Sequence, residues 1–245
     1  LWPCNWLESA IATLNDYPNA ICSVARVIEI DENGIKKRVP LNVQPGERFF
    51  KTKSSEIQIR SGILDSIAHY FLGTIYISIH AFVMRSTVLE NGMKFSLDVG
   101  SVADYEWMML MGLNGDIIYH PNVEVGWRTY VGQATDARKQ DEMGAHFQKI
   151  HSRNRPIIAE KLGNAGRDFI RLSKKYDSSV LRYHYLRPCV SNIKDAPIKS
   201  IIKLLRVSFQ FPRETFNDIW MLVNRKKFFI ERSIAVAETV KGIIS

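Results

Sequence analysis

Apolar and polar positions along the first half of the chain follow two periods, and this predicts helices interleaved with strands. Apolar residues at helical spacing predict helices over residues 6–14 and 56–71. A helix predicted over residues 101–114 is apolar almost all round, which indicates burial on several sides. Short apolar or β-branched runs predict strands at 20–28, 75–84, 116–120 and 123–130. Helices alternating with strands are typical of an α/β fold, with helices packed on a sheet.

A tight turn and a long helical tail complete the pattern. Residues 31–34 end in Asn-Gly, which suits positive φ, so residues 35–39 are expected to return as a hairpin partner. Residues 40–53 are predicted to form a loop. The tail shows only helical periods, at residues 137–175, 197–211 and 214–244. We therefore expect an α/β part over residues 1–136, followed by an all-α appendage over residues 137–245.

Charge divides at about the same place as the pattern. The first 150 residues carry 14 Lys and Arg against 17 Asp and Glu, whereas residues 151–245 carry 19 against 8. A tail with a net charge of +11 favours an anionic partner, such as phospholipid headgroups, nucleic acid or an acidic face of the same protein. Nucleic acid is not expected, because the tail has no helix-turn-helix signature, zinc pattern or aromatic platform for single strands.

One segment of the basic tail has two interpretations. Lys199, Lys203 and Arg206 recur at helical spacing opposite apolar residues, namely Ile201, Leu204, Leu205 and Val207. A helix with this pattern can lie in a membrane interface, with its cations near anionic lipid. It can equally pack on the rest of the protein and expose its charges to water, because any docked helix needs an apolar stripe.

Composition indicates a globular protein of a reducing compartment. The chain is 46% apolar and 24% charged, and no apolar run approaches the roughly 20 residues that a spanning helix needs. Cys4, Cys22 and Cys189 are widely spaced and form no metal-binding pattern, so we expect buried free thiols. Together these features predict a cytoplasmic protein, peripheral to a membrane at most.

Asp104 is the main candidate for chemistry. Helical spacing places it on one face with Trp107, Met108 and Met111, so that its carboxylate borders apolar surface. Such a setting raises the pKa of a carboxyl group and suits a general base that takes a proton from a hydroxyl nucleophile. The alternative is a capping box, in which Ser101 caps the helix and Asp104 reaches back to its amide.

Three segments in order resemble the family 2 glycosyltransferases, which have a GT-A fold. Leu1–Leu7 stands where that family carries the carboxylates that hold the donor's metal and diphosphate. Ala103–Trp107 stands at the segment with the catalytic base, and Trp127–Thr135 at the segment that closes over the donor. The resemblance covers residues 1 to about 140 and is supported by intervening matches at Pro18–Ala20, Ile30–Gly34 and Val83–Arg85.

The resemblance implies a partial GT-A mixed sheet and a hexosyltransferase. The enzyme would transfer a sugar from a nucleotide-sugar donor to a hydroxyl of a glycan, a lipid-linked sugar or a protein, with Asp104 as general base. Donor or acceptor contacts would fall on Cys4, Asn5, Glu106, Trp127, Arg128, Tyr130, Gln133 and Thr135. Structural alternatives are a solvated Glu106, a salt bridge at Arg128, core packing of Trp127 and Tyr130, and a helix cap at Thr135.

Two departures from the family's pattern qualify this expectation. Cys4 and Asn5 stand in place of an Asp pair, and Tyr130 stands where the family often has His. Mg²⁺ and Mn²⁺, the family's cofactors, prefer anionic oxygen ligands, so no metal ligand is assigned. The family's N-terminal nucleotide-binding half has no counterpart in these residues, so the chain is expected to be N-terminally truncated and, by itself, not to bind a nucleotide sugar tightly. A non-catalytic GT-A-like binding protein with a degenerate metal site is the second expectation.

Overall fold

The computed structural model describes residues 1–40, 43–90, 92–130, 143–191, 197–210 and 226–244. Its helices and strands follow one another in an α/β order. They are α1 (Trp6–Asp16), β1 (Ala20–Ile30), β2 (Lys36–Arg38), α2 (Val43–Phe49), β3 (Gln58–Arg60), α3 (Gly62–Leu72), β4 (Phe82–Met84), α4 (Thr87–Glu90), α5 (Ala103–Met111), β5 (Asp116–Arg128), α6 (Met143–Lys161), α7 (Gly166–Ser191), α8 (Pro197–Gln210) and α9 (Lys226–Ile244).

A mixed sheet centred on β1 and β5 organises the fold. These two strands pair in parallel over nearly their whole length, from Ala20 opposite Asp116 to Ile30 opposite Arg128. The other edge of β1 pairs antiparallel with β4 and, through the predicted Asn-Gly turn, with β2. Strand β3 pairs antiparallel with the outer edge of β5. The expectation of an α/β fold with a mixed sheet and flanking helices is confirmed.

Strand β5 corrects the prediction of two separate strands. It runs as one strand from Asp116 to Arg128, and its pairing with β1 shifts register between His120 and Glu124. Pro121 lies in this irregularity, because proline has no N–H to give to a sheet ladder. The local break in hydrophobic pattern therefore marks a bulge rather than the end of a strand.

Helix α1 covers one face of the sheet through a small polar contact. The Thr13 hydroxyl lies 3.1 Å from Ser23 Oγ and 3.2 Å from His120 Nε2. His120 is fully buried, and burial lowers its pKa to about 4, so it is neutral at physiological pH. Cys22, next to Ser23 along β1, points to the opposite face of the sheet. Burial there, and then the nearby Asp65 of α3, raise the pKa of its thiol.

Three segments differ from the sequence prediction. Residues 43–49, predicted to be loop, form α2; Pro45 is tolerated because it lies in the first turn. The helix predicted over 56–71 begins only at Gly62, because residues 58–60 pair with β5 and the Gly62 amide donates to Asp116 Oδ1 at 3.0 Å. The strand predicted over 75–84 is reduced to β4, preceded by a 3₁₀ turn.

The tail helices share the core of the α/β part. Side chains of α6, α7 and α9 join the same cluster of buried residues as α3 and α5. The contributing tail residues include Ile150, Ile158, Phe169, Tyr176, Ala237 and Val240. The helix predicted over 137–175 is divided at a 3₁₀ turn, Gly163–Ala165, where Gly163 has φ of 55°. Among the described residues of the tail there is no strand, and residues 214–225 of the last predicted helix lie outside them.

In the part of the chain that the structure describes, no helix has both the length and the apolar character needed to span a bilayer.

A close approach of α3 to the end of α5 gives a test of this packing. A methyl group at Gly62 would overlap the carbonyl oxygens of Gly112 and Gly115. We expect Gly62→Ala to destabilise the protein by about 3 kcal/mol. This would lower the melting temperature by about 6–12 °C for a chain of this size. Gly242→Ala in α9 is the matched control, because its methyl group would meet no atom within 4 Å. Equal melting temperatures for both variants would contradict the packing.

Candidate active site at the start of α5

Asp104 lies in the first turn of α5, after a 3₁₀ turn at Leu97–Val102. Its Oδ1 accepts a hydrogen bond from the Tyr105 amide at 2.8 Å. The N-cap residue is Val102, and no side chain makes a capping hydrogen bond there. The capping box suggested by Ser101 and Asp104 is therefore not formed.

Burial raises the pKa of Asp104, and hydrogen bonds from the amides of Tyr105 and of Asp104 itself offset this only in part. The side chain is half-buried, and none of the salt bridges among the described residues involves it. A carboxylate that is partly desolvated and lacks a cationic partner binds a proton more tightly than one in water. This is the electrostatic setting that a general base requires.

The apolar face predicted next to Asp104 is present. Trp107, Met108 and Met111 are all buried, in agreement with a helix that is covered on several sides. The Trp107 ring stacks on Phe95 at 5.4 Å and meets Phe82 edge to face at 6.0 Å. These contacts fix the apolar face of α5 next to the carboxylate.

Glu106 attaches α5 to α6 rather than facing solvent. Its side chain is 2% exposed, and its oxygens accept hydrogen bonds from Arg153 Nε at 2.9 Å and Nη2 at 2.7 Å. Asn154 Nδ2 donates a third, at 2.6 Å. The bidentate guanidinium and the amide together satisfy most of the hydrogen-bonding capacity of the buried carboxylate. The solvated alternative for Glu106 is wrong, and its orienting partner is an arginine from the tail.

A second polar chain, from Tyr105 to His151 and Asp177, ties α5 to α6 and α7. The Tyr105 hydroxyl lies 2.7 Å from His151 Nε2, and His151 Nδ1 lies 2.8 Å from Asp177 Oδ1. Asp177 Oδ2 also accepts from the Tyr70 hydroxyl at 2.8 Å and from Arg155. Burial by itself raises the pKa of Asp177, but His151, Tyr70 and Arg155 outweigh it, so the pKa lies below its ordinary value. The aspartate is therefore an anion that holds three helices together.

A cavity of about 350 Å³ opens beside this chain, between α6 and α7. Its wall includes His151, Arg155, Lys174 and Asp177. Both ring nitrogens of His151 and both oxygens of Asp177 already have partners within the protein. Asp104 does not line this cavity.

The first predicted donor segment lies beside the C-terminal part of β5. The terminal amino group of Leu1 donates to the Gly126 carbonyl, and the Leu1 carbonyl accepts from the Gly126 amide. The Trp2 indole donates to the His80 carbonyl at 2.7 Å. Cys4 and Asn5 are exposed where α1 begins, so the expectation of a buried thiol is wrong for Cys4. Cys22, by contrast, is a buried free thiol as expected.

These two side chains do not fit a hard divalent cation. Cys4 offers a soft thiol and Asn5 a neutral carbonyl, whereas Mg²⁺ and Mn²⁺ prefer anionic oxygens. Over the described ranges there is also no group of three His, Cys, Asp or Glu side chains that is arranged to hold a metal.

The second predicted donor segment follows the end of β5. Arg128 is exposed, and its guanidinium donates to the Glu32 carbonyl in the β1–β2 turn. Trp127 is half-buried against the core, and Tyr130 is exposed. Gln133 and Thr135 lie outside the described residues. The structure thus places the aromatic and Arg positions together at one strand end, and Asp104 separately at a helix start.

Sequence reasoning missed the residues of α6 that hold α5. The signal for them is that His151 and Asn154 fall at helical spacing with buried Ile150 and Ile158. A polar residue on an apolar stripe needs a buried partner, because an unpaired polar group is costly there. No local pattern identifies Glu106 as that partner, since 47 residues separate it from Arg153.

Comparisons of this chain with protein-family models, with curated proteins and with solved structures found no match.

Removing the arginine of the Glu106–Arg153 ion pair is expected to destabilise the protein more than removing the lysine of an exposed ion pair on the same helix. Arg153→Met leaves a buried carboxylate with only Asn154 as donor. We expect a loss of about 2–3 kcal/mol in the free energy of unfolding, measured by urea denaturation. Lys149→Met on the same helix removes only an exposed contact with Asp98, so its expected loss is within about 0.5 kcal/mol.

A double variant checks the cause of that loss. Adding Glu106→Gln to Arg153→Met removes the unpaired charge and is expected to restore part of the stability. A further loss in the double variant would contradict the ion pair as the source.

Proposed function

We propose that this protein is a glycosyltransferase of the family 2 type. It would transfer a sugar from a nucleotide-sugar donor to a hydroxyl acceptor, with Asp104 as general base. The proposal depends mainly on the environment of the Asp104 carboxylate. This group is half-buried, has no salt-bridge partner among the described residues, and has a pKa above its ordinary value. The ordered resemblance of three sequence segments to that family supports it independently.

The proposed reaction is a single displacement at the anomeric carbon. The acceptor hydroxyl gives its proton to Asp104 while its oxygen forms a bond to that carbon. The bond from the anomeric carbon to the diphosphate breaks, and its electron pair leaves with the nucleoside diphosphate. The Tyr105 amide donates to Asp104 Oδ1 at 2.8 Å, which orients the carboxylate that would take the acceptor's proton.

The predicted donor contacts complete the proposal. Arg128 is suited to bidentate contact with the leaving diphosphate, and Trp127 and Tyr130 offer rings for a sugar or base. In the structure, Arg128 Nη1 donates to the Glu32 carbonyl. Gln133 and Thr135 are proposed as further donors of hydrogen bonds to phosphate oxygens.

A non-catalytic binding protein of the same fold is the second candidate. The specific observation in its favour is that Cys4 and Asn5, at the position of the family's metal carboxylates, present a thiol and an amide. A donor screen that is scored by nucleotide release, with mixed glycan and lipid-linked acceptors, separates the two. Release that depends on both donor and acceptor supports the enzyme, and binding of a sugar nucleotide without release supports the second candidate.

Replacing the proposed base tests the assignment directly. We expect Asp104→Asn to lower transfer by at least about 100-fold, because proton removal by a positioned base contributes about 10²–10⁴. Asp98→Asn is the matched control, since Asp98 is an exposed carboxylate on the adjoining 3₁₀ turn. Transfer by Asp104→Asn within threefold of the unsubstituted protein would contradict the role.

The raised pKa of Asp104 gives both an activity and a stability prediction. Transfer is expected to rise with pH through a pKa above the usual value of about 3.9 for aspartate. Since the folded pKa exceeds the unfolded one, ionisation of Asp104 destabilises the fold as pH rises. Asp104→Asn should therefore equal the unsubstituted protein in stability near pH 3 and match or exceed it near pH 7, as measured by thermal unfolding. Lower stability of the variant at pH 7 would contradict this electrostatic setting.

A further inference from the structure

Helix α8 has an apolar stripe that the rest of the described chain leaves uncovered. Ile198 is 74% exposed, Leu205 58% and Phe209 92%. Ile201 and Ile202 are also exposed. At 3.6 residues per turn, these five side chains fall within an arc of about 100° on the helix surface.

The stripe is distinct from the face by which α8 packs on the protein. Ser200 is buried, and Leu204 and Val207 are half-buried, one and two turns further along the same face. Helix α8 packs on α7. The sequence alone combines Leu204 with Leu205 in one apolar face, whereas the structure separates them into a packed face and an exposed stripe.

A row of cations borders the exposed stripe on one side and lies between the stripe and the packed face. Lys199, Lys203 and Arg206 are all exposed and follow one another at helical spacing. Helix α8 itself contains no Asp or Glu. The helix therefore carries three adjacent surfaces, of which one packs on the protein, one is apolar and one is cationic.

We propose that α8 binds the surface of anionic membranes. Its apolar stripe would lie at the boundary between headgroups and acyl chains, with Lys199, Lys203 and Arg206 against lipid phosphates. An exposed apolar arc beside a cationic row matches the chemistry of that interface, where apolar area and opposite charge act together. The tail's net charge of +11 over residues 151–245 adds attraction at longer range.

A second copy of the chain fits the same surface less well. Two α8 helices packed antiparallel about a two-fold axis would bring both cationic rows to the same side of the pair. Like charges there repel, and two chains of net charge +8 repel further at low salt. On an anionic surface, by contrast, each of these positive charges favours binding.

Vesicle co-sedimentation of the full chain tests the proposal. The probes are large unilamellar vesicles of phosphatidylcholine alone and of phosphatidylcholine with 30% phosphatidylserine. We expect binding to the anionic vesicles that weakens with salt, and little binding to the neutral ones. Replacing Lys199, Lys203 and Arg206 by Gln should weaken partitioning by about 100-fold, since each cation near an anionic surface contributes about fivefold.

Matched controls separate α8 from general charge. Gln at Lys51, Lys94 and Lys161 changes the net charge equally but leaves α8 intact, and partitioning is expected to stay within about threefold. Ser at Leu205 and Phe209 should also abolish binding while keeping the cations and, because both side chains are exposed, the melting temperature.

Three results would overturn the proposal. The first is an absence of sedimentation with anionic vesicles at low salt. The second is equal loss of binding in the α8 and control triple variants. The third is a concentration-dependent dimer, seen by analytical ultracentrifugation, that the Leu205 and Phe209 substitutions dissociate while leaving vesicle binding unchanged. Each outcome is independent of whether the protein transfers sugar.

Discussion

The fold around the candidate site depends on a buried carboxylate, Glu106, and the arginine that neutralises it. A carboxylate that is 2% exposed is tolerated only with full hydrogen bonding, and Arg153 and Asn154 supply this from α6. The ion pair therefore requires the tail to pack on the α/β part. The shared core of α3, α5, α6, α7 and α9 provides the apolar contacts that accompany this pairing.

The same constraint determines how Asp104 is held. Tyr105 and Glu106, the two residues after it, are each bonded to α6, through His151 and Arg153 respectively. Their side chains attach the first turn of α5 to α6, and the Tyr105 amide donates to one oxygen of Asp104. The tail is thus a support for the turn that carries the proposed base, in addition to presenting α8 at its surface.

The sequence predicts the parts of this structure that local pattern determines. Helix α1, strand β1, the Asn-Gly turn and the multi-sided burial of α5 all follow from hydrophobic period and turn chemistry. The errors fall where distant residues decide. Residues 58–60 become a strand because β5 offers its edge, and Glu106 is buried because Arg153 reaches it across 47 positions. The raised pKa of Asp104 was predictable from its apolar face, but its partners on the tail were not.

We propose that Asp104 accepts the acceptor's proton because its carboxylate is half-buried and has no salt-bridge partner among the described residues. A carbon-detected NMR titration of its side-chain carboxyl group, in the otherwise unmodified chain, tests this most directly. We expect a midpoint clearly above the usual value of about 3.9 for aspartate, while exposed Asp98 titrates below it. A midpoint for Asp104 at or below that of Asp98 would show a solvated or cation-paired carboxylate and contradict the proposed role.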